Sequence, residues 1–145
     1  MKLNEDKTRL VDTRKEAFEF LGFVVAWRQG RKSKRWYPHV EPSAKSQAKL
    51  RDKVREVLEV RTRNQAAVAV VRKVNQITRG WATAFHYGNS THVFGKQQAF
   101  VRDRLRRWLW RKYSRTHGLS SFFTDDRLEG HYKLWNWPLQ AAWTR

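Results

Sequence analysis

Aromatic and β-branched residues crowd the run Phe18–Trp27 (FEFLGFVVAW), which predicts a β-strand, and a shorter alternating run over Lys7–Val11 predicts another before it. Gly22, inside the longer run, implies a bulge or the close approach of another backbone segment. Residues 29–34 (QGRKSK) have the composition of a basic hairpin loop, and residues 35–40 (RWYPHV) can return as the partner strand. Pro38 cannot donate to a ladder, so that strand belongs at a sheet edge.

The period changes after Pro42-Ser43. With Ser43 or Ser46 as N-cap, Leu50, Val54, Val57 and Leu58 form the apolar stripe of a helix that reaches about Val60. A polar break over residues 61–64 (RTRN) follows, with Thr62 or Asn64 as the next cap. The second helix runs to about Tyr87 and gathers Ala67, Val71, Val74, Thr78, Trp81 and Phe85 on one face, leaving Arg72 and Arg79 outside it. Gly80 costs such a helix about 1 kcal/mol relative to alanine, which predicts a helix–helix approach or a kink there.

Residues 88–91 (GNST) predict a turn and an N-cap. The third helix then extends to about Arg115, its core face starting at Phe94 and continuing through Val101, Leu105, Trp108 and Leu109. After His117-Gly118 the periodicity fades. Residues 121–126 and 134–138 read as irregular or short-helical segments that pack by their aromatics. The predicted class is α+β: a short N-terminal antiparallel β-hairpin region, a bundle of three helices, and an aromatic-rich C-terminal tail.

Composition adds a partner to this picture. The chain has 145 residues, about one domain, and is 40% hydrophobic and 14% aromatic, too rich in large apolar side chains for a disordered basic tail. Against that core stand 31 Lys+Arg and 13 Asp+Glu, a net charge of +18, so a polyanion is the expected partner. No apolar run approaches the roughly 20 residues of a membrane span, nor is there the apolar segment of a signal peptide, so no membrane partner and a cytoplasmic location are expected. With no cysteine, and with His39, His86, His92, His117 and His131 scattered without ligand spacing, no metal and no cofactor are expected.

The charge is densest on the third helix. Over residues 101–115 (VRDRLRRWLWRKYSR), Arg104, Arg107, Arg111 and Arg115 step along one flank and Arg102 and Arg106 along the other, with Lys112 following and only Asp103 in opposition. A face meant for solubility alone would mix signs, whereas guanidinium forks beside an aromatic plane suit nucleic acid. Trp110 points away from the core stripe; it can stack on a base or be covered by Trp135, Trp137 and Trp143 of the tail. Lys7, Arg9, Arg28, Arg31, Lys32, Lys34 and Arg35 make a second basic cluster, and Arg72 and Arg79 add a basic pair on the second helix. Phe20, Leu21, Phe23, Trp81 and Phe85 are expected to be core.

These motifs together resemble one family. Leu3-Asn-x-x-Lys-Thr-Arg9 followed by Phe20-Leu-Gly-Phe23 is similar to the end of the palm of group II intron reverse transcriptases. Arg79-Gly-Trp-Ala-x-x-Phe85, then Phe94 and Arg104-Leu-Arg-Arg-Trp-Leu-Trp-Arg111, are similar to their maturase domain, also called thumb or domain X. The likeness implies an end-of-palm region over residues 1–42 and a thumb/maturase-specific domain over residues 43–145. It also implies a partner, group II intron RNA, whose fold the domain supports during splicing, and it places the N-terminal basic cluster near the primer grip.

The departures from the family are equally informative. Its polymerase centre needs a Tyr-x-Asp-Asp turn whose carboxylates hold two metal ions, and this sequence contains none. Asp125-Asp126, the only adjacent pair of aspartates, follows the third helix and suits a solvated turn or a helix cap. No catalytic residue is therefore expected, and no cDNA synthesis by this chain alone. The zinc endonuclease domain of many family members carries cysteines, so it too is expected to be absent. Two rivals remain: a C-terminal half of a split reverse transcriptase that works beside a palm-bearing partner, and a degenerate remnant that binds nucleic acid unspecifically.

Overall fold

The computed structural model describes residues 17–113 and 119–138. Strands β1 (Phe18–Phe20), β2 (Phe23–Gln29) and β3 (Trp36–Pro42) form an antiparallel sheet in chain order. Helices α1 (Ala44–Val57), α2 (Ala67–Phe85) and α3 (Thr91–Lys112) follow, with a 3-10 turn over Val60–Asn64 between α1 and α2. Short helices α4 (Leu119–Phe122) and α5 (Asp125–Gly130) lead into an extended tail. The architecture is the α+β arrangement expected. The segment Lys7–Val11 and the motif at residues 3–9 lie outside the described residues.

Phe18–Trp27 is two strands rather than one with a bulge. The chain reverses at Leu21-Gly22, where φ is 51° and 83°, and Phe20 pairs with Phe23 across the turn. Positive φ at both central residues matches the twist of a two-residue hairpin to that of its strands. The reversal corrects the predicted core: Leu21 at the tip is 79% exposed and Phe20 62%, while Phe23 packs half-buried against Phe85 with ring centroids 5.1 Å apart.

The predicted close approach at Gly22 is present. A Cβ there would lie 2.8 Å from Ser46 Oγ, and the Gly22 carbonyl accepts from Ser43 N at 2.8 Å and Ser46 Oγ at 2.9 Å. The turn thereby sits on the N-terminus of α1, where Ser43 Oγ caps Ser46 N at 3.1 Å. Gly22→Ala should cost about 2 kcal/mol or more, since it adds both a left-handed penalty and a clash. Urea denaturation measures it; an unchanged midpoint would show that the turn can move off α1.

The second hairpin closes on Gly30 and Lys34, leaving Arg31, Lys32 and Arg35 exposed. Pro38 lies on β3, an edge strand as expected, opposite Trp27. The free side of that edge is not left open. Asn89, in the turn between α2 and α3, donates its N–H to the Val40 carbonyl and accepts from Val40 N through Oδ1. Gly88, at φ 74°, permits this contact, because a Cβ there would meet Val40 O at 2.6 Å. Pairing the edge with a loop removes a template for aggregation.

The core lies among the three long helices and the tail. Leu50 and Val54 of α1, Val70, Val71 and Val74 of α2, and Phe94, Val101, Leu105, Trp108 and Leu109 of α3 are buried together with Phe123, Leu128 and Trp137. Trp81 links the layers: its indole N–H donates to Ser46 O at 3.2 Å, and its ring meets Phe85, Phe94 and Trp137. The tail is clamped by Asn75, which donates to Lys133 O and accepts from Trp135 N, both at 2.8 Å.

The predicted side-chain cap of α2 and a helix–helix approach at Gly80 are both absent. Neither Thr62 nor Asn64 caps α2, whose N-cap is Ala66 without a side-chain bond. Thr62 instead donates to Val57 O and Glu59 O, closing the end of α1. Gly80 faces open space rather than a neighbouring helix, since a Cβ there would find no atom within 4 Å.

Candidate nucleic-acid interface

The two arginine flanks of α3 have different surroundings. On one side Arg102 and Arg106 face the tail. Arg102 pairs with Asp125 at 3.3 Å and with Glu129, while Arg106 pairs with Asp125 and donates from Nε to Phe123 O at 2.7 Å. Both arginine side chains are only 20% exposed. Asp125 is thus more than a solvated turn residue: it stitches α5 to α3. Its own half-exposure keeps the contribution small, so Asp125→Asn should cost about 1 kcal/mol, less at high salt. Thermal melts at low and high salt read this out, and a salt-independent loss would point to packing instead.

The other flank opens into a cleft of about 410 Å³ where α3 passes the end of α1 and the 3-10 turn. Arg104 and Arg111 line it from α3, Arg55 from α1, and Arg61 and Arg63 from the 3-10 turn; Glu59 is the one acid among the lining residues. Arg55 also lies over the Phe100 ring, 5.2 Å from its centroid, and pairs with Asp52. Among the described residues, Arg61, Arg104 and Arg111 have no ion-pair partner, and the buried Arg63 Nε has no hydrogen-bond acceptor. Clustered cations repel one another, so the arrangement gains from an anion placed between them.

The cleft exists because α3 binds the backbone of the 3-10 turn. Buried Trp108 donates its indole N–H to Glu59 O at 3.1 Å and to Thr62 Oγ1 at 3.0 Å. One turn further on, Lys112 Nζ donates to Arg63 O at 2.6 Å and Gln65 O at 2.7 Å. These bonds turn the carbonyls of the segment inward toward α3, and the arginines between them line the open side. Lys112 is accordingly a buttress of the cleft, its charge spent on two carbonyls.

The remaining sequence candidates are dispersed. Arg107 is exposed and pairs with Asp103 at 3.3 Å. Trp110 is half-buried and packed against the core, not a bare stacking plane; Trp137 meets Trp81 of α2, and Trp135 meets Trp137. Arg72 and Arg79 are exposed on α2, and Arg31 and Lys32 on the hairpin tip, none of them lining the cleft. Lys7, Arg9, Arg115 and Trp143 lie outside the described residues. Arg55, Arg61 and Arg63 were missed as site residues. Arg61 and Arg63 alternate within a segment that reads only as a polar break, and Arg55 lies among the polar positions of α1 outside its apolar stripe.

Among the described residues no helix is long and apolar enough to cross a membrane, and no group of three or more His, Asp or Glu is placed to hold a metal ion. Residues 47–123, just over half of the chain, match the group II intron, maturase-specific domain. The match spans α1 to α5's approach and includes every arginine of the cleft. No curated protein matches the chain.

Proposed function

Because the chain belongs to the group II intron maturase-specific domain family, we propose that it is an RNA-binding maturase domain that holds folded intron RNA and assists its splicing. The observation that carries this reading is the arginine cleft, one concavity lined by five arginines. Guanidinium is planar and forked, and it matches the two free oxygens of a phosphodiester better than ammonium does. Structured RNA presents closely spaced phosphates and 2′-hydroxyls and is recognised mainly by shape, which a rigid concave array can read. Chemistry is not assigned to the chain: the RNA would supply the reacting groups, and the protein would lower the repulsion between strands that must meet.

Titrating the chain against group II intron RNA and against an unrelated structured RNA, at about 150 mM salt, tests the proposal, because purely electrostatic binding is weak there. Tighter binding of intron RNA is expected. Equal affinities would reduce the chain to an unspecific polyanion binder.

A second reading has an observation of its own. The tip of the first hairpin exposes Phe20 and Leu21 side by side, an apolar surface suited to another polypeptide. In a split reverse transcriptase this is where a palm-bearing partner would pack. Primer extension that appears only when such a fragment and this chain are combined would support it, and Leu21→Lys would then abolish the activity.

A further inference from the structure

A groove of about 550 Å³ lies between α1 and α2, beside the first hairpin turn and apart from the arginine cleft. Ile77, Trp81 and Phe85 of α2 give it an aliphatic and aromatic floor. Lys49 and Lys53, one helical turn apart on α1 and both exposed, stand at its edge. Gly80 keeps the space open, since no atom lies within 4 Å of where its Cβ would be.

The floor is held in place before any ligand arrives. The Trp81 indole N–H is engaged by Ser46 O, and the ring is stacked on Phe85 at 4.6 Å with 28° between planes. Phe85 is in turn backed by Phe23. With its polar atom spent, the aromatic surface can offer a ligand only stacking and dispersion, while the lysines offer positive charge on one side. A ligand that is flat and apolar in one part and anionic in the next satisfies both. An apolar peptide would fill the floor and leave the ammonium groups without counter-charge.

We propose that this groove receives an unpaired base of the bound RNA, with Lys49 and Lys53 holding the phosphates beside it. The inference rests on the RNA-binding reading above and adds to it a preference for unpaired over fully paired RNA. Both sites border α1, which carries Lys49 and Lys53 on the groove and Arg55 on the cleft. RNA lying along α1 would meet both. Base stacking on aromatic side chains is sequence-tolerant, so the groove would select an unpaired nucleotide without selecting which one.

Gly80→Leu fills the groove while leaving every arginine of the cleft in place. Leucine is also a better helix former than glycine, so the variant should remain folded, which circular dichroism checks. The probes are an RNA hairpin carrying a three-nucleotide bulge and the same hairpin without it. The wild-type chain should bind the bulged RNA about tenfold more tightly, as expected from one stacked base. Gly80→Leu should erase that preference and leave affinity for the paired hairpin unchanged. A 5-iodouridine placed in the bulge should photocross-link to the α2 segment containing Trp81 and Phe85.

A preference that survives in Gly80→Leu, or a cross-link that maps elsewhere, overturns the proposal and leaves the groove to an apolar polypeptide. Equal wild-type affinity for both hairpins also overturns it, with RNA binding intact. A chain that binds the intron RNA but neither hairpin overturns this proposal alone, whereas one that binds none of the three RNAs overturns the RNA reading itself, so the two failures are distinguishable.

Discussion

Replacing Arg61, Arg104 and Arg111 together by glutamine should weaken RNA binding by about a hundredfold at about 150 mM salt and lower the salt slope by about two. Each phosphate contact contributes roughly 0.7 to 0.9 to that slope, and at this salt concentration three contacts amount to about two decades in affinity. Glutamine keeps a polar amide on a shorter side chain and removes the charge and the fork. The three residues come from two elements and meet only in the cleft. A matched variant of exposed α2 residues, Arg72, Lys73 and Arg79 to glutamine, removes the same charge elsewhere and should cost far less. Equal losses in the two variants would mean that the field of the whole +18 chain binds RNA and that the cleft has no privileged role. Folding stability should hold or rise in the cleft variant, because like charges are being separated rather than pairs broken.

Trp108 should prove the most sensitive single position for the fold. It is 3% exposed, and truncation to alanine should cost about 3 to 5 kcal/mol, a large part of the stability of an ordinary domain. Its polar edge explains why this core residue matters to the site as well. Trp108→Phe keeps most of the apolar volume and removes the donor to Glu59 O and Thr62 Oγ1, which should cost about 1 kcal/mol. Because those bonds seat the 3-10 turn against α3, the phenylalanine variant should also bind RNA more weakly, although the ring does not line the cleft. Urea denaturation followed by circular dichroism, together with RNA titration, separates the two effects. A destabilised variant with unchanged affinity would show that the turn is held by other contacts, Lys112 first among them.

The contrast between Arg106 and Arg104 shows how far the pattern along the chain could be read. Helical spacing separates them onto two flanks of α3, and both flanks look equally suited to a polyanion. The difference lies in Asp125 and Glu129, which are remote in sequence and reach Arg102 and Arg106 only because the tail folds back along α3. The same limit applies to Arg61 and Arg63. Their segment lacks periodicity, and its importance comes from Trp108 and Lys112, more than forty residues away. At Leu21-Gly22 the difficulty was local: a continuous apolar run conceals a reversal that only the positive φ of two residues reveals.

Hydrophobic periodicity and turn chemistry by themselves determined the three long helices, the basic hairpin, the edge position of β3 and the core face Val101, Leu105, Trp108 and Leu109. These depend on residues within a few positions of one another, where backbone geometry dictates which side chains share a face. Net charge likewise set the expectation of a polyanionic partner. Only the tertiary structure decided which cations remain available to it. A charged side chain keeps its charge wherever it lies, but whether it meets a carboxylate, a carbonyl or open solvent depends on which distant segment packs beside it. That distinction assigns Arg102, Arg106 and Lys112 to holding the fold and brings Arg55, Arg61, Arg63, Arg104 and Arg111 together in one cleft.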